Sequence, residues 1–299
     1  MKKNYTIITD SSCELDRDER EQYGIEYVNM HFTLDGVEYP ADLDWVKLSA
    51  KDFYDAMRKG AKYKSAQVNE AQYLEAFRKE IEKGNDIISI SCSGGLSASI
   101  NISRAAREKL LKEFPDAKIY CIDGLSSGYA MGYLCKRAGE MKQKGATVDE
   151  VAKWVEDNKK RSNQEGTVDK LTYLKNAGRV SAAAAFFGGI LSVKPIIVCD
   201  SVGHNIAKEK VKGRKAALAR IAELCVEEID TNEMTEVRIN HADCLEEAQM
   251  VVDMIKAKLG DKVTYRIGWL GPIVGGSSGP GTVSAYAFGK DKRAENDVQ

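Results

Sequence analysis

From about residue 5 to residue 158 the chain alternates short apolar runs with amphipathic stretches, and this alternation restricts the possible folds more than any other feature. Tyr5 to Thr9 reads as a buried strand, followed by the turn Asp10-Ser11-Ser12 and a helical stretch to about Tyr23. Ile25 to Leu34 and Val37 to Tyr39 flank Asp35-Gly36, a hairpin signal. Ala71 to Lys83 carries Tyr73, Leu74, Phe77 and Ile81 on one helical face and stops at Gly84. Ile87 to Ser91 is a buried-type strand leading through a Gly/Ser turn into a helix from about Ser97 to Glu113. Lys118 to Ile122, the turn after it and a helix to about Lys144 repeat that unit. Thr147 and Glu150 then form a capping box opening a helix over Val148 to Asn158. Strand–helix units repeated in this way predict a parallel sheet with helices on both faces.

Beyond Asn163 the pattern changes. Ile196 to Cys199 and Val202 to Ile206 read as a hairpin; Thr235 to Asn240, Val263 to Trp269 and Thr282 to Phe288 read as further strands. Amphipathic helices fall near Arg214 to Ile229 and Cys244 to Leu259. The expectation is an N-terminal α/β domain over 1–162 and a C-terminal α+β domain over 163–299 with a mixed or antiparallel sheet. The polar stretch Lys159 to Gly166 is the candidate linker.

Composition removes several classes of function. A net charge of −1 argues against a nucleic-acid binder. No apolar run reaches the length of a membrane span, and Met1 to Tyr5 leads straight into a strand without a signal-peptide core, so a cytoplasmic location is expected. Seven scattered cysteines without a CxxC pair read as buried thiols of a reducing compartment. Three histidines far apart in sequence give no metal-ligand spacing, and no metal or cofactor is expected.

The run Gly271 to Gly281 contains five glycines and two of the five prolines in the chain. It reads as a rigid, bare loop, neither helix nor central strand, presenting Ser277 and Ser278 to a ligand. Ligands of open parallel sheets bind beyond the carboxyl ends of the strands. Three turns there are rich in serine and lack lysine and arginine: Asp10-Ser11-Ser12, Ser93 to Ser99, and Gly124 to Ser127. Ser97 and Ser99 also open a helix, where free N–H groups favour an anion. No phosphate-loop signature is present, so neutral donors around a carboxylate suit these turns best. The rival is a serine hydrolase with Ser97 as nucleophile, since Gly95-Leu96-Ser97-Ala98-Ser99 sits at a strand-to-helix turn with His204 and His241 downstream. Against it, a serine stands where the nucleophile-elbow motif has its last glycine.

Asp10-Ser11-Ser12-Cys13-Glu14-Leu15 resembles the opening motif of the DegV family of bacterial fatty-acid-binding proteins. Further similarities run in order: Ser65-Ala66-Gln67 to a Thr-Ser-Gln segment, Gly95 to Ser99 to a Gly-Leu-Ser-Gly-Thr turn, Leu174 to Ser181 to a Gly-Gly-Arg-Ile stretch, and Val193 to Ile196 to a Lys-Pro-Ile strand. His241-Ala242-Asp243 and the closing Gly-rich run complete the series. The resemblance implies a carrier rather than an enzyme, holding one long-chain fatty acid and presenting it to a separate fatty acid kinase. It places the carboxylate at Ser65 and Ser97, with Ser277 and Ser278 nearby and Arg179 on the partner surface. Ala182 to Leu191, with Phe186 and Phe187, and Ile273-Val274 are candidate tail-lining segments. The chain departs from the family pattern at Ser277, where a histidine is frequent, and at Val68, where the family has proline.

Overall fold

The computed structural model describes residues 3–181 and 192–297. A four-stranded parallel sheet in the order β2-β1-β6-β7 forms one layer, from β1 (Tyr5–Asp10), β2 (Ile25–Val28), β6 (Asp86–Ser91) and β7 (Ile119–Asp123). Every residue of β1 and β6 is buried, as befits central strands of a parallel sheet covered on both faces. The helices α3 (Glu70–Glu82), α4 (Ser99–Glu113), α5 (Gly128–Gln143) and α6 (Val148–Asn158) lie where the alternation puts them. The capping box of α6 is present: the Thr147 hydroxyl accepts from Glu150 N at 3.3 Å and the Glu150 carboxylate accepts from Thr147 N at 2.7 Å.

The expected Ile25–Leu34 strand is split in two. Ile25–Val28 joins the parallel sheet, while β3 (His31–Leu34) pairs antiparallel with β4 (Val37–Pro40) and β5 (Tyr63–Ala66) in a separate three-stranded sheet. Between those last two strands lies α2 (Ala50–Arg58).

A seven-stranded mixed sheet in the order β13-β12-β14-β8-β10-β11-β9 forms the other layer. Its strands are β8 (Ser162–Thr167), β9 (Val180–Ser181), β10 (Val193–Cys199), β11 (Asn205–Lys212), β12 (Glu236–His241), β13 (Thr264–Trp269) and β14 (Val283–Phe288). The candidate linker is therefore half strand. Its residues 162–166 lie in β8, which pairs with β14 over six positions, because serine, asparagine and glycine there face packed neighbours rather than water. The second hairpin arm runs over Asn205–Lys212 rather than 202–206, since residues 200–204 are needed for the turn. One face of this sheet carries α8 (Arg214–Glu228), which packs against α9 (Leu245–Leu259).

Helix α5 lies between the two layers. It touches β1, β2 and β6 on one side and β8 and β14 on the other. Apolar contact runs through it without a break, from Ile7 and Ile88 past Tyr129 and Leu134 to Ala285 and Phe288. Gly132 permits this closeness: a Cβ there would stand 2.3 Å from the Cys13 carbonyl oxygen.

Candidate functional site

A cavity of about 750 Å³ opens between the carboxyl ends of the parallel strands and the face of the mixed sheet opposite α8. Its volume is that of a small-molecule site. The rim comes from β5 and the turn after β6, including Ser65, Gln67, Gly95, Leu96 and Ser97. The sheet supplies Gln164, Gly166, Ile197, Asn205, Thr282 and Ser284, and helix α7 (Leu171–Ala177) supplies Leu174 and Ala177.

The remaining wall is the Gly-rich run, which the sequence reading makes a loop. It is a helix, α10 (Pro272–Ser278), started by Pro272 at its first turn and ended at Gly279 with φ +86°. The glycines cost the helix about 1 kcal/mol each in propensity, and packing overrides that cost. A Cβ on Gly275 would stand 1.8 Å from the Tyr54 hydroxyl, and one on Gly276 would stand 2.2 Å from the Tyr63 ring. The same tyrosines hold the helix start: Tyr54 donates to Leu270 O at 2.5 Å and Tyr63 to Pro272 O at 2.9 Å. The glycines are thus there for close approach.

Tyr63 also links two of the candidate residues. Burial pushes its phenol well above the ordinary range, and hydrogen bonds with the hydroxyls of Ser65 and Ser277 oppose that shift. Ser97 Oγ lies 2.9 Å from Ser99 Oγ and accepts from Ser99 N at 3.2 Å, so it both bonds to the first residue of α4 and lines the cavity. Ser278 Oγ donates back to Val274 O at 2.8 Å within α10. Ser65, Ser97, Ser277, Ser278 and Arg179 all line the one cavity. Arg179 is exposed and lies along the mouth, donating to Leu96 O and to Ala177 O, each at 3.0 Å. No aspartate or glutamate is among the described lining residues, and Arg179 is the sole cation there. An anion placed there would meet serine hydroxyls and no carboxylate of the described lining.

Of the three serine-rich turns, the first stays out of the cavity. The buried Asp10 carboxylate accepts from Ser12 N at 3.0 Å, Ser12 Oγ at 2.6 Å and Cys92 N at 2.7 Å, and burial raises its pKa. Ser11 Oγ accepts from Met30 N at 2.9 Å. Cys92 and Met30, held this way, do line the cavity. Ser127 contributes from the third turn. The tail-lining candidates Ala182 to Leu191 lie outside the described residues, whereas Ile273 and Val274 line the cavity.

Sequence reasoning missed Tyr63 and Gln164, which lie in strands it did not place, and Asn205, which lies in a hairpin arm it placed without assigning that residue a role. It also gave no acid partner to His204. The structure supplies one: His204 Nδ1 lies 3.1 Å from Asp200 Oδ2, beside Gly95, where a Cβ would stand 3.1 Å from His204 Nε2. His241 is elsewhere, its ring centroid 4.7 Å from that of Trp269 and tilted to it by 43°, its pKa lowered by burial.

A family profile described as "Uncharacterised protein, DegV family" matches residues 4–290. The chain belongs to the DegV family. A DegV domain-containing protein of Clostridium perfringens is 35% identical over 293 residues, covering 97% of this chain and 99% of its own length. The solved structure of DegV from Bacillus subtilis, described as a fatty acid binding protein, superposes with a TM-score of 0.82 at 27% identity, over 96% of this chain and 99% of that one. A DegV family protein from Thermus thermophilus, 23% identical with a TM-score of 0.84 over 96% and 100% of the two chains, shares the fold. The DegV fold accounts for both layers, the parallel sheet and the mixed one, seen here. Among the described residues no helix is long and apolar enough to cross a membrane.

Proposed function

We propose that the cavity binds one long-chain fatty acid, with its carboxylate at Ser65, Ser97, Ser277 and Ser278 and its tail along the apolar wall. The observation that carries this reading is the convergence of those hydroxyls, with no acid among the described lining, in one cavity of a DegV-family chain. The fatty acid binding ascribed to Bacillus subtilis DegV supports it. Burying about fifteen methylenes at about 0.8 kcal/mol each gives up to roughly 12 kcal/mol before the costs of binding. The hydroxyls fix the register of the head group, since a desolvated carboxylate without donors costs several kcal/mol. In this reading the protein is a carrier of the cytoplasm, without catalysis of its own, that presents the acid to a separate fatty acid kinase. Arg179, at the mouth and exposed, is the residue we assign to that contact.

Native mass spectrometry and lipid extraction of protein purified from bacteria test the reading. About one acid per chain is expected; protein that carries none and ignores added acid in a calorimetric titration would sink it. The hydrolase alternative gains one observation, the Asp200-oriented His204 beside the serine turn. The Ser97 hydroxyl, however, is engaged with Ser99 rather than with an imidazole. Fluorophosphonate labelling of Ser97 together with ester turnover would establish that alternative.

A further inference from the structure

The sheet wall of the cavity is more polar than a slot for a plain hydrocarbon tail requires. Gln164 of β8 and Asn205 of β11 both line it, and they reach each other across the line of β10: Gln164 Nε2 donates to Asn205 Oδ1 at 2.7 Å. The bridge stands where main-chain pairing is thin, since β8 and β10 pair only through Ile197 and Gly166. It uses one N–H of Gln164 and the carbonyl oxygen of Asn205. Asn205 Oδ1 also accepts from Cys199 Sγ at 3.5 Å, whereas the Gln164 carbonyl oxygen and the Asn205 amide nitrogen have no partner among the described residues, which leaves an acceptor and a donor on one cavity wall without a described partner. Ser127 adds a third group from a different element. It is buried, lines the cavity, and as the residue preceding α5 makes no capping hydrogen bond with its side chain.

These three residues are separate from the Ser65, Ser97 and Ser277 set, which lies on β5, the turn after β6, and α10. A saturated tail laid against them removes water from the amide valences and returns no bond, which costs about 1–3 kcal/mol for each group left unmade. A hydroxyl on the chain both donates and accepts, so it answers a free carbonyl oxygen and a free amide N–H together. Sites built to hydrogen-bond a substrate hydroxyl discriminate strongly against the analogue lacking it. Resting on the fatty-acid reading above, we propose that the Gln164–Asn205 bridge selects acyl chains bearing a hydroxyl part-way along the chain, so that the preferred ligand is a hydroxy fatty acid.

The test uses full-length protein stripped of lipid, titrated with stearic acid and with a series of hydroxystearic acids differing in hydroxyl position. One position is expected to bind about tenfold tighter than stearic acid, the ratio given by one satisfied hydrogen bond. Gln164→Met, which keeps the length of the side chain and removes the amide, is expected to abolish that ratio and to tighten stearic acid. Stearic acid binding as tightly as every hydroxy acid to the unaltered protein overturns the proposal, whether or not the variant folds. A preference that survives intact in a folded Gln164→Met variant overturns it equally. If no acid of either kind binds, the carrier reading itself falls, an outcome distinct from both.

Discussion

Two serine-rich turns stand at the carboxyl ends of neighbouring parallel strands, and they do opposite things. After β1, Asp10-Ser11-Ser12 turns its oxygens inward onto the backbone of Ser12, Cys92 and Met30. After β6, the Ser97 hydroxyl serves only the nearby N–H and hydroxyl of Ser99 and still faces the cavity. Composition and position in the sheet are alike in both. What separates them is whether buried N–H groups nearby lack any other acceptor. Where they do, a hydroxyl or carboxylate becomes part of the fold; where a local contact suffices, it remains available to a ligand.

The difference is broken most severely by Asp10→Ala. Two backbone N–H groups and one hydroxyl lose their buried acceptor, so a loss on the order of 4 kcal/mol in unfolding free energy is expected in chemical denaturation. A variant as stable as the parent would show that this turn is not the structural one.

Glu14, just past the same turn, extends the contrast to pH. Its buried carboxylate accepts from Asn240 at 2.8 Å, Gly271 N at 2.9 Å and Tyr286 at 3.1 Å, yet burial pushes its pKa up to about 7. The folded state therefore holds this proton more tightly than the unfolded chain does. Stability from this group is highest below the ordinary glutamate range and falls as pH rises towards 7, by on the order of 3 kcal/mol in all. Thermal unfolding across that range should show the decline in the parent and a flatter profile in Glu14→Gln; parallel profiles would refute the assignment.

On the ligand side, Ser65→Ala combined with Ser97→Ala should weaken fatty-acid affinity by about 1–3 kcal/mol per hydroxyl while the lipid-free melting transition stays near that of the parent. A calorimetric titration with unchanged affinity places the head group elsewhere. The smallest effect belongs to Arg179→Ala. An exposed side chain bonded, among the described residues, to two carbonyl oxygens should alter fatty-acid affinity by less than about 1 kcal/mol, yet lower acyl-phosphate formation in an assay coupled to a kinase. Equal loss in both measurements makes it a pocket residue alone.

Much of this arrangement is legible in the sequence because its signals are local. Buried apolar runs such as Ile87 to Ile90 and the Thr147/Glu150 capping box depend on a few adjacent residues. The seven-stranded sheet is harder to read because its central strand β8, Ser-Asn-Gln-Glu-Gly-Thr, has the polarity of a linker. Its partners lie on β14 and β10, over a hundred and some thirty residues further along the chain. The Gly-rich run misleads for a related reason. Only the rings of Tyr54 and Tyr63, far away in sequence, reveal that its glycines serve packing. Hydroxyl-bearing motifs single out Ser65 and Ser97, which both line the cavity, whereas the Gln164–Asn205 bridge is made by residues that match no motif.

Strand β14 is the seam of the mixed sheet, with β12 and β13 on one side and β8, β10, β11 and β9 on the other. It also follows every other strand described here in sequence, and the chain is synthesised from its N-terminus. A nascent chain on the ribosome can complete the parallel sheet early, but it holds the mixed sheet as two unjoined pieces until β14 emerges. The cavity, whose walls include α10 just before that strand and Ser284 within it, comes into being only once β14 has emerged. A chain stalled before β14 therefore has no such cavity to offer a ligand.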